Sequence, residues 1–158
     1  MRWLVLIAIL VFVFAQITRM RPSRRDQQLQ ALRKAASVAG LTVRFWTSRN
    51  SGYSHRQLPE SGFMYILPWP LKHDHAAPAW ALWVNSHGEV LNIAGQPPEL
   101  AQQYLASFRE RFADAWGLLE CNNAGVCLLW EERGEPADVQ DIADALDLLR
   151  KNLDALPG

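Results

Sequence analysis

The sequence lacks the short motifs that most often mark catalysis. Neither the G-x-G-x-x-G nor the G-x-x-x-x-G-K-[ST] phosphate-binding pattern occurs, and no G-x-S-x-G turn presents a nucleophilic serine. Only two cysteines are present, in C-N-N-A-G-V-C, which is too few for a four-cysteine zinc site. We therefore predict no cofactor and a protein that is not an enzyme.

Lysine is scarce and the chain has no net charge. Sixteen acidic side chains balance sixteen basic ones, which argues against the strong basicity of a dedicated nucleic-acid binder. The charge is nevertheless uneven, because residues 1–25 contain five arginines and no acid. We therefore expect no nucleic-acid partner and a basic N-terminal segment.

An uncharged apolar run occupies residues 3–18 and is followed by Arg19, Arg21, Arg24 and Arg25. As a helix these sixteen residues extend about 24 Å, somewhat less than the hydrocarbon core of a bilayer. We predict a transmembrane anchor at residues 1–20, a basic juxtamembrane helix at 21–40 and a soluble α+β domain at 41–158. Trp3 and the four arginines are the predicted membrane-binding residues, with the lipid bilayer as partner.

The arginine cluster also predicts orientation, because basic residues stay on the cytoplasmic side. We expect a bacterial inner-membrane protein with its C-terminal domain in the cytoplasm. A cleaved signal peptide ending at Ala15 is the alternative, and it would make the domain periplasmic or secreted.

The juxtamembrane helix is expected to begin at a cap formed by Ser23 and to end at Gly40. Arg33 and Lys34 are expected to extend its basic surface.

The periodicity after residue 40 predicts four strands, a helix, two strands and a final helix. The strands are expected at residues 41–46, 63–69, 80–85, 90–94, 118–121 and 126–131, and the helices at 98–116 and after Pro136. Short connections without crossover helices indicate an antiparallel sheet. The predicted fold class is therefore α+β, an N-terminal transmembrane helix followed by a largely antiparallel sheet with three helices.

Each of the last two helices carries an apolar stripe that is expected to pack on the sheet. In the first of them the stripe comprises Leu100, Tyr104, Phe108, Phe112 and Ala115. In the final helix it comprises Val139, Ile142, Leu146, Leu149, Leu153 and Leu156. The acidic side of the final helix, which includes Asp144 and Asp147, is expected to be solvated.

Cys121 and Cys127 are predicted on the two arms of a hairpin that turns at residues 122–125. Facing cysteines would form a disulfide in an oxidising compartment and stay reduced in a cytosol. The simpler alternative is that both are small, half-buried residues.

Aromatic residues in loop-like sequence are the candidate partner contacts. The long loop at residues 47–62 carries Tyr53 and Arg56, and Trp69 lies in L-P-W-P. Tyr53, Arg56 and Trp69 are the predicted partner-binding residues, and a membrane or membrane-associated protein is the expected partner. The alternative function is a metal-dependent enzyme that uses loop residues His55, His73 and His75.

An apolar span followed by Arg21-Pro22 and Arg24-Arg25 resembles the juxtamembrane region of the YajC-type accessory subunit of the bacterial protein translocase. The likeness covers residues 3–35, and the α+β part has no counterpart in that family. The whole chain is similar to small single-pass membrane proteins of Gram-negative bacteria. These resemblances imply a membrane location and bring no catalytic residues.

Overall fold

The computed structural model divides the chain into two compact units, residues 1–30 and residues 31–158. It describes residues 2–19, 23–49, 52–53, 58–70, 79–85, 87–111 and 117–154. Helix α1 spans Arg2–Arg19 and helix α2 spans Arg24–Val38, so α2 contributes residues to both units.

Helix α1 exposes large apolar side chains in every direction. Because an α-helix has 3.6 residues per turn, consecutive exposed positions go all the way around its axis. The exposed residues are Trp3, Val5, Leu6, Ile7, Ile9, Leu10, Val11, Phe12, Val13 and Phe14. In the part of the chain that the structure describes, no helix combines the length and the apolarity that a membrane crossing requires.

Both ends of α2 are defined by local hydrogen bonds. At the start, the Asp26 amide donates to Ser23 Oγ at 3.1 Å and the Ser23 amide donates to Asp26 Oδ2 at 3.0 Å, which is a reciprocal capping box. At the end, the Leu41 amide donates to the Ala36 carbonyl at 2.9 Å, while Gly40 adopts a φ of 80°. This is a Schellman motif, in which glycine is favoured. The prediction that Ser23 caps this helix and Gly40 ends it is confirmed.

Six strands form one antiparallel sheet, which confirms the predicted α+β class. The strands are β1 Thr42–Thr47, β2 Ser61–Pro68, β3 Trp80–Val84, β4 Val90–Ala94, β5 Gly117–Asn122 and β6 Gly125–Trp130. Their spatial order is β1-β2-β6-β5-β3-β4, so β1 and β4 are the edges. The last hairpin of the chain, β5–β6, therefore lies in the middle of the sheet.

Helices α3, Glu99–Arg111, and α4, Pro136–Asp154, pack on one face of the sheet. The stripe predicted for α4 is confirmed from Val139 to Leu153, all of which is buried, and Leu156 lies outside the described residues. The stripe predicted for α3 was partly wrong. Its buried residues are Ala101, Leu105 and Phe108, whereas Leu100 and Tyr104 are only partly buried; Phe112 and Ala115 lie outside the described residues.

Phe108, which belongs to both the predicted and the observed stripe of α3, contacts aromatic residues of the sheet. The Phe108 ring packs edge-on against Trp130, with 6.2 Å between ring centroids, and Trp130 in turn contacts Tyr65 at 6.1 Å. The side of α3 that faces the sheet also includes Ala101 and Leu105, which are both buried. Sequence periodicity cannot distinguish neighbouring phases when both contain apolar residues.

The opposite face of the sheet has its own apolar cluster. It comprises Trp46, Leu58, Met64, Ile66, Ala81, Trp83, Leu118, Cys127 and Leu129, with Tyr53, Leu91, Ile93 and Ala94 packed against it. Strands β3 and β6 are consequently buried at every position. The sequence of such a strand is a continuous apolar run, because neither face of the strand is in contact with water.

The two cysteines do not face each other across the β5–β6 hairpin. Cys121 is opposite Val126, and Cys127 is opposite Glu120. The thiols therefore occupy alternate positions of the ladder and point to opposite faces of the sheet. Both are buried and free, so the disulfide alternative was wrong, because it depended on a register that differs by one residue.

Candidate functional site

The predicted membrane-binding residues lie around α1 and the start of α2. Trp3 is exposed on α1, and Arg24 and Arg25 are exposed in the first turn of α2. Arg21 lies outside the described residues, and the position of the Arg19 side chain is likewise not described. Arg25 Nη1 donates to Gln28 Oε1 at 3.2 Å.

Arg33 does not belong to this basic surface, and that prediction was wrong. Its guanidinium donates to both carboxylate oxygens of Glu132, from Nε at 3.0 Å and from Nη2 at 2.9 Å. It also lies 3.6 Å from the centroid of the Phe63 ring, which is a cation–π contact. Lys34, the neighbouring residue, is exposed as expected.

Glu132 is the centre of a buried polar group on the helical face of the sheet. Besides Arg33, its Oε1 accepts a hydrogen bond from the Tyr65 hydroxyl at 2.7 Å. Glu132 has a φ of 54°, immediately after β6 ends. A left-handed glutamate is uncommon and costs about 1–3 kcal/mol. This backbone conformation is retained because the carboxylate has two partners.

The same contacts shift two pKa values. Hydrogen bonding to Glu132 raises the pKa of the Arg33 guanidinium above its ordinary value. Burial, and then the hydrogen bond to Glu132, raises the pKa of the Tyr65 hydroxyl. Both residues therefore keep their neutral-pH protonation states, and the group acts as a structural clamp between α2 and the sheet.

A second buried carboxyl group lies on the other face of the sheet. Glu120, on β5, is 6% exposed, and its Oε1 accepts a hydrogen bond from Asn122 Nδ2 at 2.7 Å. The Tyr53 hydroxyl is also hydrogen-bonded to Glu120. Burial raises the pKa of Glu120 above its ordinary value, and burial near Glu120 raises the pKa of Tyr53 to about 12.

The loop that carries Trp69 contacts the end of β5, close to Glu120. Trp69 Nε1 donates to the backbone oxygen of Asn122 at 2.8 Å, and the preceding residue, Pro68, accepts from Arg150 Nη1 at 2.8 Å. Asn122 is therefore connected both to Trp69 and, through Glu120, to Tyr53. These four residues, Tyr53, Trp69, Glu120 and Asn122, are named here the hairpin cluster.

The hairpin cluster brings together two of the three predicted partner-binding residues. Arg56, the third, lies outside the described residues. Trp69 is half-buried rather than fully exposed, because its indole is hydrogen-bonded to the hairpin. Sequence reasoning missed Glu120 and Asn122. The available signal was a lone acid inside the apolar run L-L-E-C, since a charged residue is rarely buried without partners.

The chemistry of the described thiols is that of core residues. Burial raises the pKa of Cys121 to about 12 and also raises that of Cys127. A thiol, unlike a thiolate, is a poor nucleophile and metal ligand. His55, His73 and His75 lie outside the described residues. Within the described ranges, no group of three or more histidine, cysteine, aspartate or glutamate side chains is placed to hold a metal ion.

Comparisons with known proteins give no relative for this chain. No family model, no curated protein and no solved structure matches it.

Proposed function

We propose that this protein is a membrane-attached, non-enzymatic interaction module of the bacterial inner membrane. Helix α1 enters the bilayer, the arginines that follow it contact lipid headgroups, and the α+β domain binds a membrane or membrane-associated protein from the cytoplasmic side. The apolar surface around the whole of α1 is the observation that carries the proposal.

The energetics of α1 favour an apolar environment. Ten large hydrophobic side chains of this helix are exposed, and burying one such side chain contributes about 1.5–3 kcal/mol. Transfer of all ten from water into lipid is therefore favourable by ~15 kcal/mol or more. A helix that is apolar on every side belongs in a protein core or in a membrane.

The basic residues supply a second, electrostatic attachment. Arg24 and Arg25 are exposed beside the apolar segment, and Asp26 is the nearest acid, engaged in the cap with Ser23. Each basic residue near an anionic surface adds about 1 kcal/mol of attraction. The same residues favour a cytoplasmic location for the domain.

The hairpin cluster supports an interaction role for the domain. Its buried carboxyl group accepts hydrogen bonds from Asn122 and Tyr53, and the Asn122 backbone oxygen accepts one from Trp69, so both aromatic residues are attached to β5. We expect the outer surfaces of Tyr53 and Trp69 to contact the partner, since aromatic residues on well-supported loops often dominate binding.

Membrane attachment is tested by fractionating bacterial cells that express the full chain. We expect the protein in the membrane pellet after alkaline carbonate extraction, and Leu10→Lys with Phe12→Lys to release it. The matched control is Val90→Lys with Leu148→Lys, which changes two exposed apolar residues of the domain. A double α1 variant that remains in the pellet would show that α1 is not the anchor.

Orientation is tested separately with reporters fused after Gly158. A fluorescent protein that matures in the cytoplasm should be bright, and alkaline phosphatase, which needs the periplasm, should be inactive. The reverse pattern would place the domain in the periplasm and favour the signal-peptide or periplasmic alternative.

The electrostatic part is tested with liposomes of increasing anionic lipid content. Arg24→Glu with Arg25→Glu should weaken binding of the full chain and reduce its dependence on salt. Asp144→Asn with Asp147→Asn is the control and should leave liposome binding nearly unchanged.

Partner binding is tested by co-purification in mild detergent. Trp69→Ala should reduce the amount of a stoichiometric partner that co-purifies, while the variant with Asp144→Asn and Asp147→Asn should retain it.

A further inference from the structure

Strand β1 is an edge strand in which Arg44 is the one exposed charged residue. Natural sheets block exposed edges with proline, bulges, charged residues or covering segments. Strand β1 contains no proline, and its register with β2 runs without interruption from Thr42 to Thr47. The opposite edge differs, because the pairing of β4 with β3 is broken by an irregularity between Ala81 and Leu82.

The exposed residues of β1 are Thr42, Arg44 and Phe45, of which Phe45 is the large apolar one. Phe45 is 65% exposed, although it packs edge-on against Phe63 of β2 with 5.5 Å between ring centroids. In the described part of the sheet, β2 is the neighbour of β1 and its other side carries no strand. Strand β1 therefore presents a regular backbone edge with a large apolar side chain in its middle.

We infer that two copies of this chain associate by antiparallel pairing of their β1 strands, with Phe45 opposite Phe45. The two sheets would join into one, related by a two-fold axis beside Phe45. Such an interface is isologous, because the same surface serves both copies. The inference does not depend on how α1 meets the membrane.

The register follows from the side chains. Antiparallel partners must lie on the same face of the joined sheet, so residues opposite each other are separated by an even number of positions. With Phe45 on the axis, Arg44 lies beside Trp46 of the other copy and Val43 beside Thr47. The pair of Phe45 rings favours this register, because aromatic residues opposite each other stabilise a strand pair.

The competing register is unfavourable for an electrostatic reason. Moving the axis by one residue places Arg44 opposite Arg44, and like charges directly opposite each other destabilise a strand pair. It also places Phe45 opposite Val43 and removes the aromatic pair. A second copy thus fits this edge in one register better than in the other.

Cysteine cross-linking of the full chain in mild detergent tests both the contact and its register. Opposing Cβ atoms across a strand pair are about 4.5–5.5 Å apart, within reach of a disulfide. Under mild oxidation we expect Phe45→Cys to form the covalent dimer about ten-fold faster than Arg44→Cys, whose counterpart lies diagonally at about 7–8 Å. Val90→Cys on the other edge is the control, and the buried Cys121 and Cys127 remain unmodified.

Three outcomes would overturn the inference. Faster dimer formation by Arg44→Cys than by Phe45→Cys would show the competing register. Equal rates of dimer formation in all three variants would show random collision. The absence of any covalent dimer would show that β1 does not pair. The oligomeric state tests the pairing of β1 independently of cross-linking. Full chain measured by ultracentrifugation should be a dimer, and Phe45→Lys should dissociate it, because two lysines would then be directly opposed.

Val90→Lys is the matched control and should remain dimeric. A monomeric native chain, or a dimer that survives Phe45→Lys, would contradict pairing through β1. Association through α1 would survive that substitution, so it is distinguished from association through β1. Membrane fractionation of Phe45→Lys should be unchanged, which separates this test from that of the membrane proposal.

Discussion

Removing the carboxylate of Glu132 should destabilise the domain by about 1.5–4 kcal/mol, and the contributions can be assigned to its two partners. Tyr65 is fully buried, so in Glu132→Ala its hydroxyl loses its acceptor away from water, at a cost of about 1–3 kcal/mol. The Arg33 side chain is 33% exposed and can partly rehydrate, so its loss contributes only about 0.5–1 kcal/mol. The left-handed backbone gives no relief, because alanine is strained there as well.

The measurement is urea unfolding of the full chain in a fixed concentration of mild detergent, followed by tryptophan fluorescence. Glu132→Gln keeps one acceptor oxygen and should lose about 1 kcal/mol. Glu110→Ala is the matched control, since Glu110 is exposed on α3, and substitutions at exposed positions usually change stability by about 0.5 kcal/mol or less.

A double-mutant cycle with Arg33→Ala should give a coupling energy above about 0.5 kcal/mol, because the two side chains are in direct contact. The reasoning would be refuted by a Glu132→Ala variant no less stable than the Glu110→Ala control. It would also be refuted by zero coupling, which would mean that Arg33 and Glu132 are close without depending on each other.

Two further predictions concern β5 and its hairpin. The pKa of Glu120 is raised on folding. The contribution of this group to stability is therefore fully present below its unfolded pKa and is lost as the pH rises through the folded pKa. Glu120→Gln should remove that part of the pH dependence when unfolding is measured from pH 4 upward. Gly125 has a φ of 148° and approaches the backbone oxygen of Leu67 too closely for a Cβ, so Gly125→Ala should lower the thermal unfolding midpoint by several degrees, on the order of 2 kcal/mol or more. Gly52→Ala is its control, because that site also has positive φ, at 73°, but open space around it; equal losses in the two variants would show that the close approach is unimportant.

The sequence predicts those parts of the fold that depend on local patterns. Residues 90–94 form β4 as predicted, and α4 buries its stripe because one helix face carries all its large apolar residues except the exposed Leu148. The capping box at Ser23 and the Schellman motif at Gly40 are also local, since their hydrogen bonds join residues no more than five positions apart.

What the sequence does not predict depends on residues far apart or on a shift of one position. Arg33 looks like part of a solvated helix face, and its partner Glu132 is 99 residues away. The hairpin cluster joins Trp69 to a strand 53 residues later. The positions of Cys121 and Cys127 were mispredicted for the second reason, because a one-residue change in strand register moves a side chain to the opposite face of the sheet.

The strand order has a consequence for folding during synthesis. The hairpins β1–β2 and β3–β4 are complete once residue 94 has been made, but the strands that separate and join them, β5 and β6, come later in the chain. Until then the inner edges of β2 and β3, buried in the finished domain, remain unpaired. Sheets completed by such distant segments form slowly and expose edges that promote aggregation. This protein is therefore expected to need chaperone protection until residues 117–130 have left the ribosome.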